Sequence, residues 1–323
     1  MAVILLLAAG CTPSDSTTGS GDSSSSSSAS SIPSGSPSAS ARGSSSPSAA
    51  ASASKKHKRR SVGPDVPISS VAPSTGSTVG VAMPISIVFR QPVSASMHKQ
   101  IENHLEVTTS APVTAAWHWF GTRRVDLRPR SFWTPGTTVS LSAHLGPSTY
   151  TRHFTIGADV RTHVYVKKHK TVVSKNGTVI RTMRSDAGSP SWPTWTGTMA
   201  VVNKSRTVRM DSCSVHIACS PSDPNYYDLE LPWDVRITWS GTFLHYSSGD
   251  PYPGHGNGSH GCVHLSLTDA EWFFHMSKPG DPVTVTGSPR AKADADNGYA
   301  GFNLPWSQWV SGSAIGQFAT TQA

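Results

Sequence analysis

The sequence predicts a mainly β chain: two folded domains with one or two short helices between strands, behind a leader that does not fold. Three observations predict it. Residues 12–54 are roughly half serine, the rest mostly Ala, Gly, Pro and Thr, and cannot bury enough apolar surface to fold. The remainder, on the order of 250 residues, is enough for two compact domains with their own cores. In that remainder β-branched and aromatic residues recur in short alternating runs between Gly, Pro and Asn turns, the period of strands.

At the front, residues 2–9 form an apolar run of signal-peptide length ending in Leu7-Ala8-Ala9-Gly10-Cys11, which resembles a bacterial lipobox. The resemblance implies cleavage before Cys11, acylation of its thiol, export, and a lipoprotein on the outer face of the cytoplasmic membrane. No run reaches the length of a spanning helix, so the membrane contact expected is the lipid alone. Residues 12–62 then read as a disordered tether. Five of the positive charges in a net +8 sit in its closing run, Lys55, Lys56, Lys58, Arg59 and Arg60. The remainder of the chain carries only +3, and no motif for nucleic acid accompanies it.

Residues 63–157 read as short strands, among them Ile85-Ser86-Ile87-Val88-Phe89, Val125-Asp126-Leu127 and Val139-Ser140-Leu141-Ser142, interrupted by one helical piece over 96–104. This pattern predicts an antiparallel sandwich of immunoglobulin-like type, with Trp117, Trp119 and Trp133 in core or interdomain packing. Strands resume at Thr162-His163-Val164-Tyr165-Val166. Residues 171–180 predict a hairpin, because Asn176-Gly177 supplies the two positive φ angles of a type I′ turn. Further strands are expected at 199–202 and 235–239. One helix follows, with Thr268 and Glu271 as capping box and Ala270, Trp272, Phe273 and Met276 as apolar face, stopped by Lys278-Pro279-Gly280.

Export favours disulfides. Cys213 and Cys219 flank five residues and predict a bridge closing a small loop, which leaves Cys262 as an odd thiol. Residues 245–264 place it in the richest chemistry of the chain. An imidazole that takes the thiol proton makes a nucleophile, and Cys262 with His245 suits those parts. Gly261 leaves the backbone amides of residues 260–262 able to face an oxyanion. On residue type alone, His255, His260, Cys262 and His264 equally suit zinc, and a purely structural His and Cys cluster is the third reading.

Ser259-His260-Gly261-Cys262-Val263, with His245 thirteen intervening residues upstream, resembles the signature of the L,D-transpeptidases, whose catalytic domain is called YkuD. Pro193-Thr194 with Thr196-Gly197, Met210-Asp211-Ser212, Phe243-Leu244-His245, His153-Phe154-Thr155-Ile156-Gly157 and the segment from Phe302 to Trp309 resemble further elements of its actinobacterial branch. The resemblance covers roughly residues 65–312. It implies an immunoglobulin-like β-sandwich spacer (63–157), a YkuD-like β-sandwich catalytic domain (158–287), and a C-terminal element packing on the catalytic domain (288–323).

The activity implied is an acyl transfer in which Cys262 attacks the third-residue carbonyl of a peptidoglycan tetrapeptide stem, expels D-alanine and passes the acyl group to an amine of a second stem, giving 3-3 cross-links. His245 is the implied base, its ring oriented by a backbone carbonyl, and His260 and Gly261 shape the oxyanion pocket. Ser240, Gly241, Ser259 and His264 line the substrate, and Tyr227 lies on a lid over 210–234. His264 stands where the family has Asn or Arg, and Tyr246 replaces a small residue. Carbapenem β-lactams are the implied inhibitors, with no metal and no cofactor. An L,D-carboxypeptidase, a catalytically weak wall-binding module and a zinc hydrolase are the alternatives.

Overall fold

A computed structural model describes residues 63–322. Cys11, the lipobox, the tether over 12–62 and its basic run lie outside the described residues. Among the described residues no helix is long and apolar enough to cross a membrane.

The first domain runs through β1 (Ile68–Ala72), β2 (Thr78–Val79), β3 (Ile85–Phe89), α1 (Ala95–Glu102), β4 (Leu105–Thr109), β5 (Thr114–Phe120), β6 (Arg124–Pro129), β7 (Thr138–Leu145) and β8 (Ser148–Ile156). Alternation explains its shape: β4 buries Leu105, Val107 and Thr109, and β7 buries Val139, Leu141, Ala143 and Leu145. These inner faces enclose a core around Trp117, Ile85, Leu127 and Trp133, with the Trp133 indole N–H donated to the Met83 carbonyl at 2.7 Å. Trp119 sits at its edge, its N–H donated to the buried Glu102 at 2.8 Å.

The second domain holds β9 (Val160–Tyr165), β10 (Lys170–Lys175), β11 (Thr178–Asp186), β12 (Gly197–Ala200), β13 (Asn203–Asp211), β14 (Asp228–Arg236), β15 (Phe243–Tyr246), β16 (Val263–Leu265), α2 (Leu267–Met276) and β17 (Pro282–Thr286). They bond in one continuous order, β12-β17-β9-β10-β11-β16-β15-β14-β13. Met199 and Val283 from one end of that order share a core with Val235, Leu244 and Val263 from the other, so the sheet closes over on itself as a sandwich. The hairpin turns at Asn176 (φ 51°) and Gly177 (φ 83°), as a type I′ turn requires.

Two local expectations are corrected. The strand expected over 235–239 begins earlier and ends at Arg236, because Ile237 N–H closes a turn onto the Thr242 carbonyl at 2.9 Å around Gly241 (φ 92°). Helix α2 is capped by Ser266, not Thr268: the Ser266 hydroxyl accepts from the Asp269 amide at 3.2 Å and donates to the Asp269 carboxylate at 2.9 Å. Its buried face, Ala270 and Phe273, is the one expected.

After β17 the chain covers both domains. Residues 291–303 lie on the second, where Ala293 N–H reaches Thr196 and the Asn303 side chain accepts from Thr198 N–H at 2.7 Å. The expected packing of 288–323 on the catalytic domain stops there. Helix α3 (Trp306–Ser311) donates the Trp309 indole N–H to the Ala116 carbonyl of β5. Then β18 (Gln317–Ala319) pairs with β5 and β19 (Thr321–Gln322) with β4. The first domain's sheets are therefore β1-β3-β6-β5-β18 and β19-β4-β7-β8-β2, each completed by a strand that follows the second domain in sequence. The two domains also meet directly, Gly80 N–H donating to the Pro279 carbonyl at 2.8 Å; a side chain at Gly80 would overlap Asp281.

Candidate active site

Strands β15 and β16 run parallel, pairing Leu244 with Val263 and His245 with His264. Leu244, Val263 and Leu265 join the core, so by alternation His245 and His264 face the other side. Cys262 immediately precedes β16, at the end of a turn that Ser259 holds shut. The buried Ser259 hydroxyl donates to the Cys262 carbonyl at 2.7 Å and accepts from the Gly261 amide at 3.1 Å. Gly261 takes φ 118°, a region closed to side-chain residues, although space for a Cβ exists there. The loop before the turn hangs on one buried carboxylate. Asp186 accepts from the amides of Gly254 (2.7 Å), His255 (3.1 Å) and Gly256 (3.2 Å), and from His169 Nδ1 at 2.6 Å. Burial alone would raise its pKa, but these donors together hold it below the ordinary carboxylate value.

The site is largely buried, and its charges are suppressed accordingly. Burial pushes the Cys262 thiol up to about 12, and the thiol donates to the Gly241 carbonyl at 3.5 Å. His245 is buried, and burial, aided by repulsion from His264, brings it down to about 3. Its Nδ1–H donates to the Tyr246 carbonyl at 2.7 Å, which fixes the tautomer and leaves Nε2 as the basic nitrogen. The His264 ring stands edge-on to it, centroids 5.2 Å apart, and donates Nδ1–H to Asp250 at 3.1 Å. Burial lowers the His264 pKa below the ordinary imidazole value despite that carboxylate. Asp234 of β14, fully buried, lies 4.0 Å from His245 Nδ1.

Over this face lies the excursion between β13 and β14. It spans residues 212–227, shorter than the 210–234 expected, because the strands extend to Asp211 and resume at Asp228. Ser212 and Tyr227 close its base by backbone bonding at 2.9 Å, and a Cys213–Cys219 disulfide, Cα atoms 4.4 Å apart, folds its first half into a small loop. Tyr227 is half-buried with its hydroxyl pushed up to about 12, first by burial and then by repulsion from Cys262 in its thiolate form. Its ring lies 5.1 Å from that of His260, whose Nε2 reaches the Asn225 side-chain oxygen at 3.4 Å. On the rim, the exposed Ser240 accepts from the Trp195 indole at 3.2 Å and from Asn297 at 2.9 Å.

The structure thus brings Cys262, His245, Gly241, His260, Tyr227 and His264 around one face. Ser259 is engaged inside the turn, and the Gly261 amide, counted among the oxyanion donors, is engaged by Ser259. No three His, Cys, Asp or Glu side chains among the described residues converge as a metal site. Sequence reasoning missed Asp186, Asp234, Asp250 and Asn225. Of these only Asp250, inside the His-rich segment, carried a local signal.

Comparison with known proteins follows the same division. A model of the bacterial Ig domain matches residues 39–147, and one of the L,D-transpeptidase catalytic domain matches residues 159–285. L,D-transpeptidase 2 of Mycobacterium tuberculosis is 32% identical over 257 residues, 76% of this chain and 62% of that protein. L,D-transpeptidase 1 of the same species is 35% identical over 221 residues, 68% of this chain and 85% of the relative. The chain therefore spans under two thirds of the first and most of the second. A solved L,D-transpeptidase in complex with imipenem superposes with a TM-score of 0.61 at 33% identity, covering 69% of this chain and all of that one.

Proposed function

The chain belongs to the L,D-transpeptidase family, and from that premise we propose that it is an exported enzyme that cross-links peptidoglycan stems through a thioester on Cys262. The observation that carries this reading is the fixed tautomer of His245: with Nδ1–H spent on the Tyr246 carbonyl, Nε2 is left to take the Cys262 proton.

In the resting site thiol and imidazole are both neutral, as the raised Cys262 and lowered His245 values require. Acylation begins when the Sγ–H bond breaks, its proton goes to Nε2, and the sulfur pair attacks the third-residue carbonyl of a tetrapeptide stem. The Cys262 amide, presented by the turn at Gly261, faces the oxyanion. Collapse expels D-alanine, whose amine takes the proton from Nε2 and leaves the thioester. The side-chain amine of a diamino acid in a second stem then attacks, returning Sγ–H and forming a 3-3 link. Tyr227 and His260 roof the thioester, with Gly241 and Ser240 along its wall. The short apolar leader ending at Cys11 supports export with a lipid anchor.

Intact-mass spectrometry of the purified chain with imipenem tests this. The expected result is one adduct per molecule, absent from Cys262→Ala. A folded wild-type chain that stays unmodified while Cys262 is still alkylated by iodoacetamide would sink the acyl-enzyme reading. With stem tetrapeptide as substrate, dimer expects transpeptidation, and tripeptide alone would reassign the acceptor to water.

A further inference from the structure

Asp234 is a carboxyl group with no structural employment. It is fully buried, and neither side-chain oxygen has a hydrogen-bond partner among the described residues. A buried carboxyl left unpaired is costly, so its retention asks for a task. Its position names one. Val235 pairs with Leu244 and Arg236 with Phe243, so the same register places Asp234 opposite His245, and Oδ1 lies 4.0 Å from His245 Nδ1. The backbone is bent to put it there: Trp233, one residue before, takes φ 64°, which a bulky side chain adopts only under constraint, and the ladder with β13 skips it.

The chemistry of the site lacks an anion at this point. Proton transfer from Cys262 turns His245 into an imidazolium, whose Nδ1–H is donated to an uncharged carbonyl. The other groups facing the pair do not balance it. His264 on β16 is neutral or positive, Asp250 is engaged with His264, and Asp186 with three amides and His169. On the elements around β14, Lys204 is bonded to the Phe274 and Ser277 carbonyls, Arg206 lies over Trp233, Asp269 pairs with Arg181, and Glu271 and His275 are exposed. Tyr227 and His260 lie in the roof above Cys262.

We propose that Asp234 is a positioning residue for His245, whose carboxylate stabilises the imidazolium formed when Cys262 surrenders its proton. The inference rests on the acyl-enzyme reading above. No bond to Asp234 forms or breaks; the Cys262 proton moves to Nε2, Nδ1–H stays on Tyr246, and the positive ring lies against the carboxylate. Burial holds the Asp234 carboxyl up to about 8, against a smaller pull from the Val208 amide, which lies outside hydrogen-bonding geometry. The assistance is therefore absent where Asp234 is protonated and grows as it ionises.

The test is the second-order rate of Cys262 acylation by imipenem, followed in single turnover from about pH 6 to about pH 9.5, for the wild-type chain and Asp234→Asn. At the acid end Asn mimics the protonated carboxyl, and the rates agree within about twofold. At the alkaline end the variant is slower by about tenfold or more, the scale of a charge pair at this separation. Parallel profiles would overturn the proposal. A second measurement needs no variant: ring ¹⁵N shifts of His245 in the wild-type chain, assigned apart from His264, carry a step where Asp234 ionises. A flat response there overturns it as well, even if Asp234→Asn does not fold. A wild-type chain that forms no adduct would count against the acyl-enzyme reading, and the ring titration would still decide the role of Asp234.

Discussion

Ser259 shows how the turn that presents Cys262 is held by a side chain spent wholly on backbone groups. One buried hydroxyl closes both the Cys262 carbonyl and the Gly261 amide. Ser259→Ala leaves two backbone groups unpaired, an expected cost of roughly 1–3 kcal/mol per group read as a lower melting temperature. Acylation by imipenem should slow while still ending at one adduct per chain, since the thiol remains and only its presentation suffers. Rapid, wild-type acylation in a destabilised variant would show the turn to be dispensable. Ser259, His260, Gly261 and Cys262 were legible in the sequence because the turn is made by consecutive residues. Asp186, Asp234 and Asn225 were not. Their partners lie 68 to 70 residues away for Asp186 on the loop amides and 35 for Asn225, and a lone polar residue in a strand carries no mark of what faces it.

The glycine-rich loop before Cys262 is an element without regular structure whose Gly254, His255 and Gly256 amides are all fastened on Asp186. Because its folded pKa lies below the unfolded value, its contribution to stability is present above the unfolded carboxylate range and is lost as pH falls through the folded value. Asp186→Asn keeps the shape but gives up charge-assisted bonds from three amides. It should lower the melting temperature at neutral pH, and the gap to wild type should narrow as pH is taken from about 6 to about 3. A gap independent of pH in thermal melts would show that charge is not what holds the loop. Asp234 has the opposite sign: raised above its unfolded value, it penalises the fold increasingly as pH climbs toward about 8. Elements set by local chemistry, such as the Asn176-Gly177 hairpin, were legible to the residue. The α2 cap was misplaced because Ser266 and Thr268 both precede an acidic residue at the capping spacing, and only the strand that delivers Ser266 decides between them.

At the scale of the molecule, the C-terminal segment acts as a clasp. Buried Glu102 accepts from Trp119, from the Ser313 hydroxyl at 2.6 Å and from the amides of Ala314 (2.8 Å) and Ile315 (3.2 Å). Arg128, its pKa lowered to about 10 by burial, lies against Phe302, Trp306 and Trp309 and donates to the Leu304 carbonyl. Deleting residues 314–323 removes one edge strand from each sheet of the first domain. Calorimetry should then resolve an early transition of the first domain that the full chain melts together with the second. A single unchanged transition would mean that the clasp contributes nothing. Two β domains were legible from strand spacing, but this return was not, because Gln317-Phe318-Ala319 is too short to announce a strand and its partner in β5 is fixed only by tertiary contact. The Val113 amide donates to Thr320 across 207 residues of chain. A polypeptide made from its N-terminus onward therefore leaves the β5 and β4 edges of its first domain open until residues 317–322 have been made, so that domain is finished only after the whole of the second has been synthesised.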